Sequence, residues 1–484
     1  MKKIVLIVEV ISLFFFASCK DFLEEYPKDL VYPTSIADFN ELLNGEGYMN
    51  VATGTDIGRW IHFMDDDILH VSTSEQRPNN YEFYEWAPYL ETGSSWISFY
   101  HRISILNIVI EGITDFEDNS DDYRRVKGEA HFLRAAYYYF LVNIYGKPYH
   151  KDRATTDLGV PLKTTAKIED KAYSRHTVKE CYDLIISDLN LAVSYLKGLT
   201  PANNYRANEA SSRILLSRIY LYTGDWEKVV NQCDSVFMNR TYRLLDFNTI
   251  TLSSTVYAIG LNSPETIFSN GGNVFSTAYA TPPAASTYNT YAFAATYDLL
   301  DSYETGDLRR RYFYRNAAAS GTQRMPRKMN INDGSDFFMI RLPEAYLNKA
   351  EALAVLGGNA QAVSAIEEVR NHRFTTGTTL PIGNLSGEEL MNKVREERRK
   401  ELSFEGHRWF DLRRYAVHPV WPFQKEILHN YYNGAELKGS LVLGKYDDTP
   451  EHYVLPIPSA EVVVSGGVLQ QNEVRRDNLP ILAL

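Results

Sequence analysis

The sequence predicts a mainly α protein in which stacked helical hairpins form a scaffold, long irregular loops are inserted into it, and a few short strands complete it. Three observations predict this. A run from Asp122 to Tyr145 places Val126, Ala130, Leu133, Tyr137, Phe140 or Leu141, and Ile144 at helical spacing, and Gly146 followed by Pro148 ends it. A second pattern occurs twice: Ser217, Gly224, Val230, Cys233 and Val236 have the mutual spacing of Ala350, Gly357, Val363, Ile366 and Val369, offset throughout by 133 residues. Finally, in residues 51–95 and 241–340 the helical stripes give way to Ser, Thr, Asn, Gly and Tyr, punctuated by Gly271-Gly272 and Pro282-Pro283.

Each element follows from these. The Asp122–Tyr145 run predicts a long amphipathic helix. In the duplicated pattern a small residue lies two turns before a glycine, and an apolar stripe follows; the small residue admits close helix approach and the glycine supplies a left-handed cap. That spacing resembles the tetratricopeptide unit, whose hairpins stack to bury a face that none could bury alone. Three or four hairpins are predicted, from helices near 95–145, 177–240 and 343–405, within a scaffold covering 95–240 and 343–416. The insertions 51–95 and 241–340 read as irregular loops presented by that scaffold, since long loops in a compact protein are uncommon unless they carry function. The segment 417–484 is rich in turn residues, with strand-like pieces such as Tyr453 to Ile457.

The N-terminus reads as a targeting segment. Met1, Lys2 and Lys3 are followed by an apolar run from Ile4 to Phe16 broken only by Glu9 and Ser12, too short to span ~30 Å of hydrocarbon comfortably. Phe16-Ala17-Ser18-Cys19 then resembles the lipobox at which bacterial lipoproteins are lipidated and cut. Residues 1–18 are therefore expected to be a signal peptide, Cys19 the lipidated first mature residue, and 19–484 the mature domain. The other two cysteines, Cys181 and Cys233, sit on apolar helical stripes and read as small buried hydrophobes; a disulfide between them stays open at this point.

Composition excludes several classes. Across 484 residues, 44% hydrophobic and 23% charged describe a folded body rather than a disordered or polytopic membrane chain. The net charge of -11 would repel a phosphate backbone, so no nucleic-acid partner is expected. Aromatics are the unusual number: 34 Tyr, 23 Phe and 6 Trp make 13%, enough to leave some facing a ligand.

Catalytic motifs are missing: the sequence holds no HExxH, no GxSxG and no CxxC, and Gly439 to Lys445 is a near miss for a phosphate loop with Tyr446 where Ser or Thr must stand. Asp65-Asp66-Asp67 lacks the alternating spacing of a calcium loop. No cofactor, metal or catalytic residue is expected. On the predicted helix from Leu390 to Glu405, Glu397 and Glu401 are like charges one turn apart, as are Arg395 and Arg399, which points to an internal ionic network with neighbouring helices rather than surface pairing.

The positive candidates are aromatics in the two loop regions: Trp60, Tyr81, Tyr84, Trp86 and Tyr89 in one, Phe275, Tyr279, Tyr288, Tyr291 and Phe293 in the other. Planar rings stack on the C–H faces of pyranose sugars while Asp, Asn and Arg hold the hydroxyls. Asp66, Asp67, Arg77, Asn79 and Asn80 are the polar groups at hand. The expected binding set is Asp66, Asp67, Arg77, Asn80, Tyr81, Trp86, Tyr279, Tyr288 and Tyr291. Trp96 and Tyr100 open a helix whose apolar side continues through Ile103 and Ile110, and belong to the core.

Several separated segments resemble the SusD/RagB family of Bacteroidetes outer-membrane lipoproteins. Cys19-Lys20-Asp21-Phe22-Leu23-Glu24, Pro33-Thr34 and Leu42-Leu43-Asn44-Gly45 resemble its mature N-terminus; Gly128 to Ala135 with Tyr145-Gly146 resembles its early helix. Gly159-Val160-Pro161-Leu162, Asp307-Leu308-Arg309-Arg310, Glu397 to Arg413, Leu455-Pro456-Ile457-Pro458 and Leu469-Gln470-Gln471-Asn472 follow in family order. The proline-glycine usual after the final Gln-Asn is Glu473-Val474 here. The resemblance implies a SusD-like helical scaffold without enzymatic activity, anchored in the outer membrane at the cell surface and partnered with a SusC-type TonB-dependent transporter whose mouth it covers. It also implies an oligosaccharide or polysaccharide ligand, with peptide as the alternative from the RagB branch. The matching motifs are scaffold motifs, so the aromatic candidates rest on composition and position alone.

Overall fold

The computed structural model describes residues 33–49, 59–70, 81–90, 92–251, 257–270, 293–316, 324–329, 335, 337–434, 436–473, 475 and 478–483. Ten helices carry the frame: α1 (Ile36–Leu42), α2 (Gly93–Gly112), α3 (Asp121–Tyr145), α4 (Val178–Leu196), α5 (Glu209–Thr223), α6 (Trp226–Met238), α7 (Leu342–Val355), α8 (Asn359–Asn371), α9 (Gly387–Leu402) and α10 (Arg408–Ala416). Neighbours in this order pack on one another from α2 through α6, and α7 packs against α6, α8 and α9. The hairpins therefore stack as the duplicated spacing predicts.

The two glycines of that spacing do the work expected of them. Gly224 closes α5 at φ 80°, its N–H donating to the Tyr220 carbonyl, and Gly357 follows α7 at φ 79°; a side chain would be strained at either angle. The small residues Ser217 and Ala350 are fully buried, and Asn348, two residues before Ala350, donates its side-chain amide to Ser217 Oγ at 2.9 Å, tying α7 to α5. Cys181 and Cys233 are both free and buried, and burial pushes each thiol up to about 12.

Helix α3 departs from the amphipathic expectation. Ser120 caps it by accepting from the Tyr123 N–H, and Gly146 ends it, donating to the Val142 carbonyl at 2.8 Å. From Val126 onward every residue is buried, because α3 is the central post rather than a surface helix. Its polar groups are accordingly paired inside: Arg134 and His131 share Asp188 at 2.7–2.8 Å, and Glu129 accepts from Tyr48 and Arg206.

The ionic network foreseen on α9 is present and extensive. Glu401 accepts from Arg341, Arg373 and Arg309 at 3.0–3.2 Å, and Glu397 meets Arg309, Arg370 and Lys400 at 2.6–3.3 Å. Glu265, Glu405 and Asp307 complete the ring of acids around Arg341, Arg373 and Arg309. The network locks the Phe338–Arg341 strand, α8 and α9 together with the rest of the insertion. Burial alone would raise the Glu397 carboxyl, but Arg309, Lys400 and Arg370 outweigh it and hold it at about 2. A carboxylate depressed in this way stabilises the fold in full above its unfolded value near 4.5, and that stabilisation disappears as pH falls toward 2. Compared with the wild type, a Glu397→Gln chain is therefore expected to start at a lower urea midpoint and to lose less of it as pH falls below about 4.5.

The insertion 241–340 is more regular than expected. β2 (Thr266–Asn270) pairs antiparallel with β6 (Phe338–Arg341), and β4 (Tyr314–Asn316) with β5 (Arg324–Pro326). The pairing of β2 with β6 joins partners distant in sequence, such as Thr266 and Arg341, which leaves little local signature. In the C-terminal segment the strands are β7 (Ile427–Asn433), β8 (Glu436–Leu443) and β9 (Ile481–Ala483) in one antiparallel sheet. The Tyr453 to Ile457 stretch joins no strand; Leu455 instead donates its N–H to the Ile144 carbonyl at 3.0 Å, satisfying the open end of α3.

Candidate functional site: a face where the insertions converge

Both aromatic-rich insertions leave the frame from shared roots. At the first root, Met49 donates its N–H to Asn270 Oδ1 at 3.0 Å and accepts from Asn270 Nδ2 at 3.4 Å, so the chain enters 50–58 and 271–292 from adjacent points. At the second, β1 (Ile68–His70) pairs antiparallel with β3 (Phe293–Ala295), and His70 is the register partner of Phe293. The segment 71–80 therefore starts where 271–292 ends. Thr296 extends the tie, donating its N–H to the Asp67 carbonyl at 2.9 Å. Residues more than 200 positions apart are thus brought together at two short contacts.

Beneath the second root lies a layer of rings. His70 is met edge-on by Tyr81, Tyr84 and Tyr432 at centroid distances of 4.8, 5.7 and 5.2 Å and lies 5.3 Å from Phe293. Trp60 stacks on Phe83 at 4.8 Å. His429 on β7 is sandwiched between Tyr84 at 4.1 Å and Trp86 at 3.9 Å. Trp86 takes φ 48°, uncommon for a bulky residue, and Trp86 Nε1 donates to the Met64 carbonyl at 3.0 Å.

Four of the expected ligand contacts belong to this substructure. Trp86 is 1% exposed and Tyr81 3%, their rings spent on His429 and on His70. Asp66 receives Arg408 through two bonds at 2.6 and 2.8 Å and Lys425 at 2.8 Å, and Asp67 receives Arg399 at 2.6 Å. Burial of Asp66 is outweighed by Arg408 and Arg399, which hold it well below the usual carboxylate range; burial keeps Asp67 raised despite Arg399. These acids anchor the turn before β1 to α9 and α10, and offer no open carboxylate to a hydroxyl. Tyr84, Trp60 and Phe293 are buried too, whereas Tyr89 stands 78% exposed. Arg77, Asn79, Asn80, Phe275, Tyr279, Tyr288 and Tyr291 lie outside the described residues, as does Cys19.

Two residues of the layer, His70 and His429, were not singled out from sequence. An isolated histidine on a short strand carries no local signal, and only the fold reveals the rings around it. Among the described residues no group of three or more His, Cys, Asp or Glu is placed to hold a metal ion, and no helix is long and apolar enough to cross a membrane.

The arrangement, a stacked-hairpin frame whose two insertions share their roots, agrees with comparison to known proteins. A sequence profile described as the SusD family matches residues 265–474, and one described as "Starch-binding associating with outer membrane" matches residues 21–221. The chain belongs to the SusD/RagB family. Its relatives include SusD-like proteins P2 and P38 of Formosa agariphila, 24% and 25% identical over 97% and 83% of this chain and 99% and 89% of theirs. Among solved structures, a SusD superfamily protein from Bacteroides thetaiotaomicron superposes with a TM-score of 0.73 at 22% identity, covering 91% of this chain and 100% of that one. A protein described as a putative sugar binding protein from Bacteroides vulgatus gives 0.70 at 24%, covering 92% and 99%. Likeness at this level shows that the SusD/RagB scaffold is shared.

Proposed function

We propose that this chain is a lipid-anchored, cell-surface glycan-capture protein that binds an oligosaccharide or polysaccharide without breaking a bond and delivers it to a SusC-type TonB-dependent barrel in the outer membrane. The observation that carries the reading is that the two loop regions share their roots, through the His70–Phe293 pair and the Met49–Asn270 bonds, so that the polar segment 71–80 and the aromatic-rich segment 271–292 leave the frame from neighbouring points. The starch-binding description of one matching profile and the sugar-binding description of one structural neighbour support it. Tyr279, Tyr288 and Tyr291 supply stacking faces, and Arg77 and Asn80 hold hydroxyls. Lipidation at Cys19 holds the chain at the outer membrane, several acyl chains on one residue giving a stable anchor where one alone is marginal. Chemistry on the bound chain is disfavoured because Asp66 and Asp67 are committed to Arg408 and Arg399.

Isothermal titration of the chain beginning after Cys19 against a glycan panel that includes soluble starch, and against a peptide mixture, tests this reading. Binding to at least one glycan is expected, with no shortened products on prolonged incubation. Tyr279→Ala, Tyr288→Ala and Tyr291→Ala should each weaken it roughly 2- to 10-fold with the melting curve unchanged. Heat evolved only with peptides would move the chain to peptide capture, and glycan fragments would make it a hydrolase.

A further inference from the structure

His429 is buried completely, and both of its ring nitrogens face backbone carbonyls: Nδ1 lies 2.8 Å from the Tyr84 oxygen and Nε2 2.8 Å from the Asp65 oxygen. A carbonyl only accepts. A neutral imidazole has one N–H, so it could satisfy one of these contacts and would set a bare lone pair against oxygen at the other. The remaining surroundings also suit a cation. The ring is stacked face to face between Tyr84, with an interplanar angle of 8°, and Trp86, with 16°, so that both π faces cover it.

We infer that His429 is carried as an imidazolium that donates both N–H groups to backbone carbonyls, and that this charge pins the Asp65 turn and the Tyr84–Trp86 segment onto strand β7. The two pinned segments lead into β1 and out of 71–80, so the pin sets the second root of the convergent face. The unusual backbone angle of Trp86 fits this role: the strain places its indole on the ring. The groups acting on His429 are Tyr84 and Trp86 on the segment, the Asp65 carbonyl and the Asp66 carboxylate on the turn, with His70 behind Tyr84; Asp66 is itself paired with Arg408, Arg399 and Lys425, and the next acid, Asp67, with Arg399. Burial is the strongest influence and, on balance, lowers the ring to about 4 against the opposing pull of the Tyr84 and Asp65 carbonyls and the Asp66 carboxylate; what favours the charged form is the geometry of the two carbonyl contacts. The paired 2.8 Å contacts decide for the charged form, since the neutral ring has no way to occupy this position without a repulsive contact.

The consequence has a definite sign. A histidine whose folded pKa exceeds the free value near 6.5 gives its full stabilisation below that value and loses it as pH rises through the folded pKa. Above that point the folding equilibrium constant is expected to fall up to tenfold per pH unit through this one proton.

The test is independent of any ligand. In the full chain with ¹⁵N-labelled histidine, both ring nitrogens of His429 should resonate as protonated at about pH 7.5, a pH at which a free imidazole is mostly neutral. A single protonated nitrogen at that pH would overturn the inference. In parallel, urea midpoints of the wild type should decline between about pH 7.5 and 9.5 more steeply than those of His429→Gln, which cannot be charged. Equal slopes would overturn it as well, and the resonance assignment stands on the wild type alone if the variant fails to fold.

Discussion

Replacing Glu401 by glutamine is expected to cost about 3–5 kcal/mol of stability, among the largest losses available to a single substitution in this chain. Glu401 is wholly buried on α9 and receives three guanidiniums, Arg309, Arg341 and Arg373, which come from the insertion, from β6 and from the end of α8. Glutamine keeps the volume but removes the charge, and its amide hydrogens point donors at donors. Three buried cations are then under-compensated, and such groups are costly because nothing in the interior replaces the water they gave up. Urea denaturation measures the loss directly. Asp183→Asn, which breaks the exposed Lys179 pair on α4, serves as control and should leave the midpoint where it was. A Glu401→Gln midpoint equal to wild type would mean that the network is not the lock between insertion and hairpins.

Trp86→Ala is expected to be comparably severe, at about 3–5 kcal/mol, for a different reason. The indole is buried, so alanine leaves a cavity; it also strips one face from His429 and abandons the bond to Met64. Trp86→Phe restores most of the volume and a stacking face, loses only the Nε1 bond, and should cost about 1 kcal/mol. At a temperature where it remains folded, Trp86→Phe should bind glycan as the wild type does. If Trp86→Ala left stability intact and abolished glycan binding, the ring would be a ligand platform and its assignment to the frame would be wrong.

Trp86 and the helical hairpins show what the sequence could and could not convey. Helical hairpins were legible because their determinants are local: Gly224 and Gly357 fix caps within their own turns, and apolar stripes recur every three or four residues. The charge pattern of α9 was legible for the same reason, since Glu397 and Glu401 are one turn apart whatever surrounds them. The family order of motifs extended this reading over the whole chain. Roles within the loops were not legible, because they depend on distant partners. Asp66 and Asp67 look like hydroxyl-binding acids until Arg408 and Arg399, more than 330 residues later, are brought onto them. Trp86 looks like a sugar platform until β7 delivers His429 to its face. Helix α3 looks amphipathic because its polar residues recur among apolar ones, and only the fold supplies Asp188, Arg206 and Tyr48 to bury them.

If the proposed glycan capture holds, segments 71–80 and 271–292, which leave the frame from shared roots, are the ones that meet the ligand. Hydrogen exchange of the chain beginning after Cys19, with and without the glycan that binds best on the panel, tests it most directly. Ligand-dependent protection is expected to concentrate in peptides covering 71–80 and 271–292, with those of α5 to α8 unchanged. Protection confined to the hairpins, with both segments unaffected by saturating glycan, would contradict it.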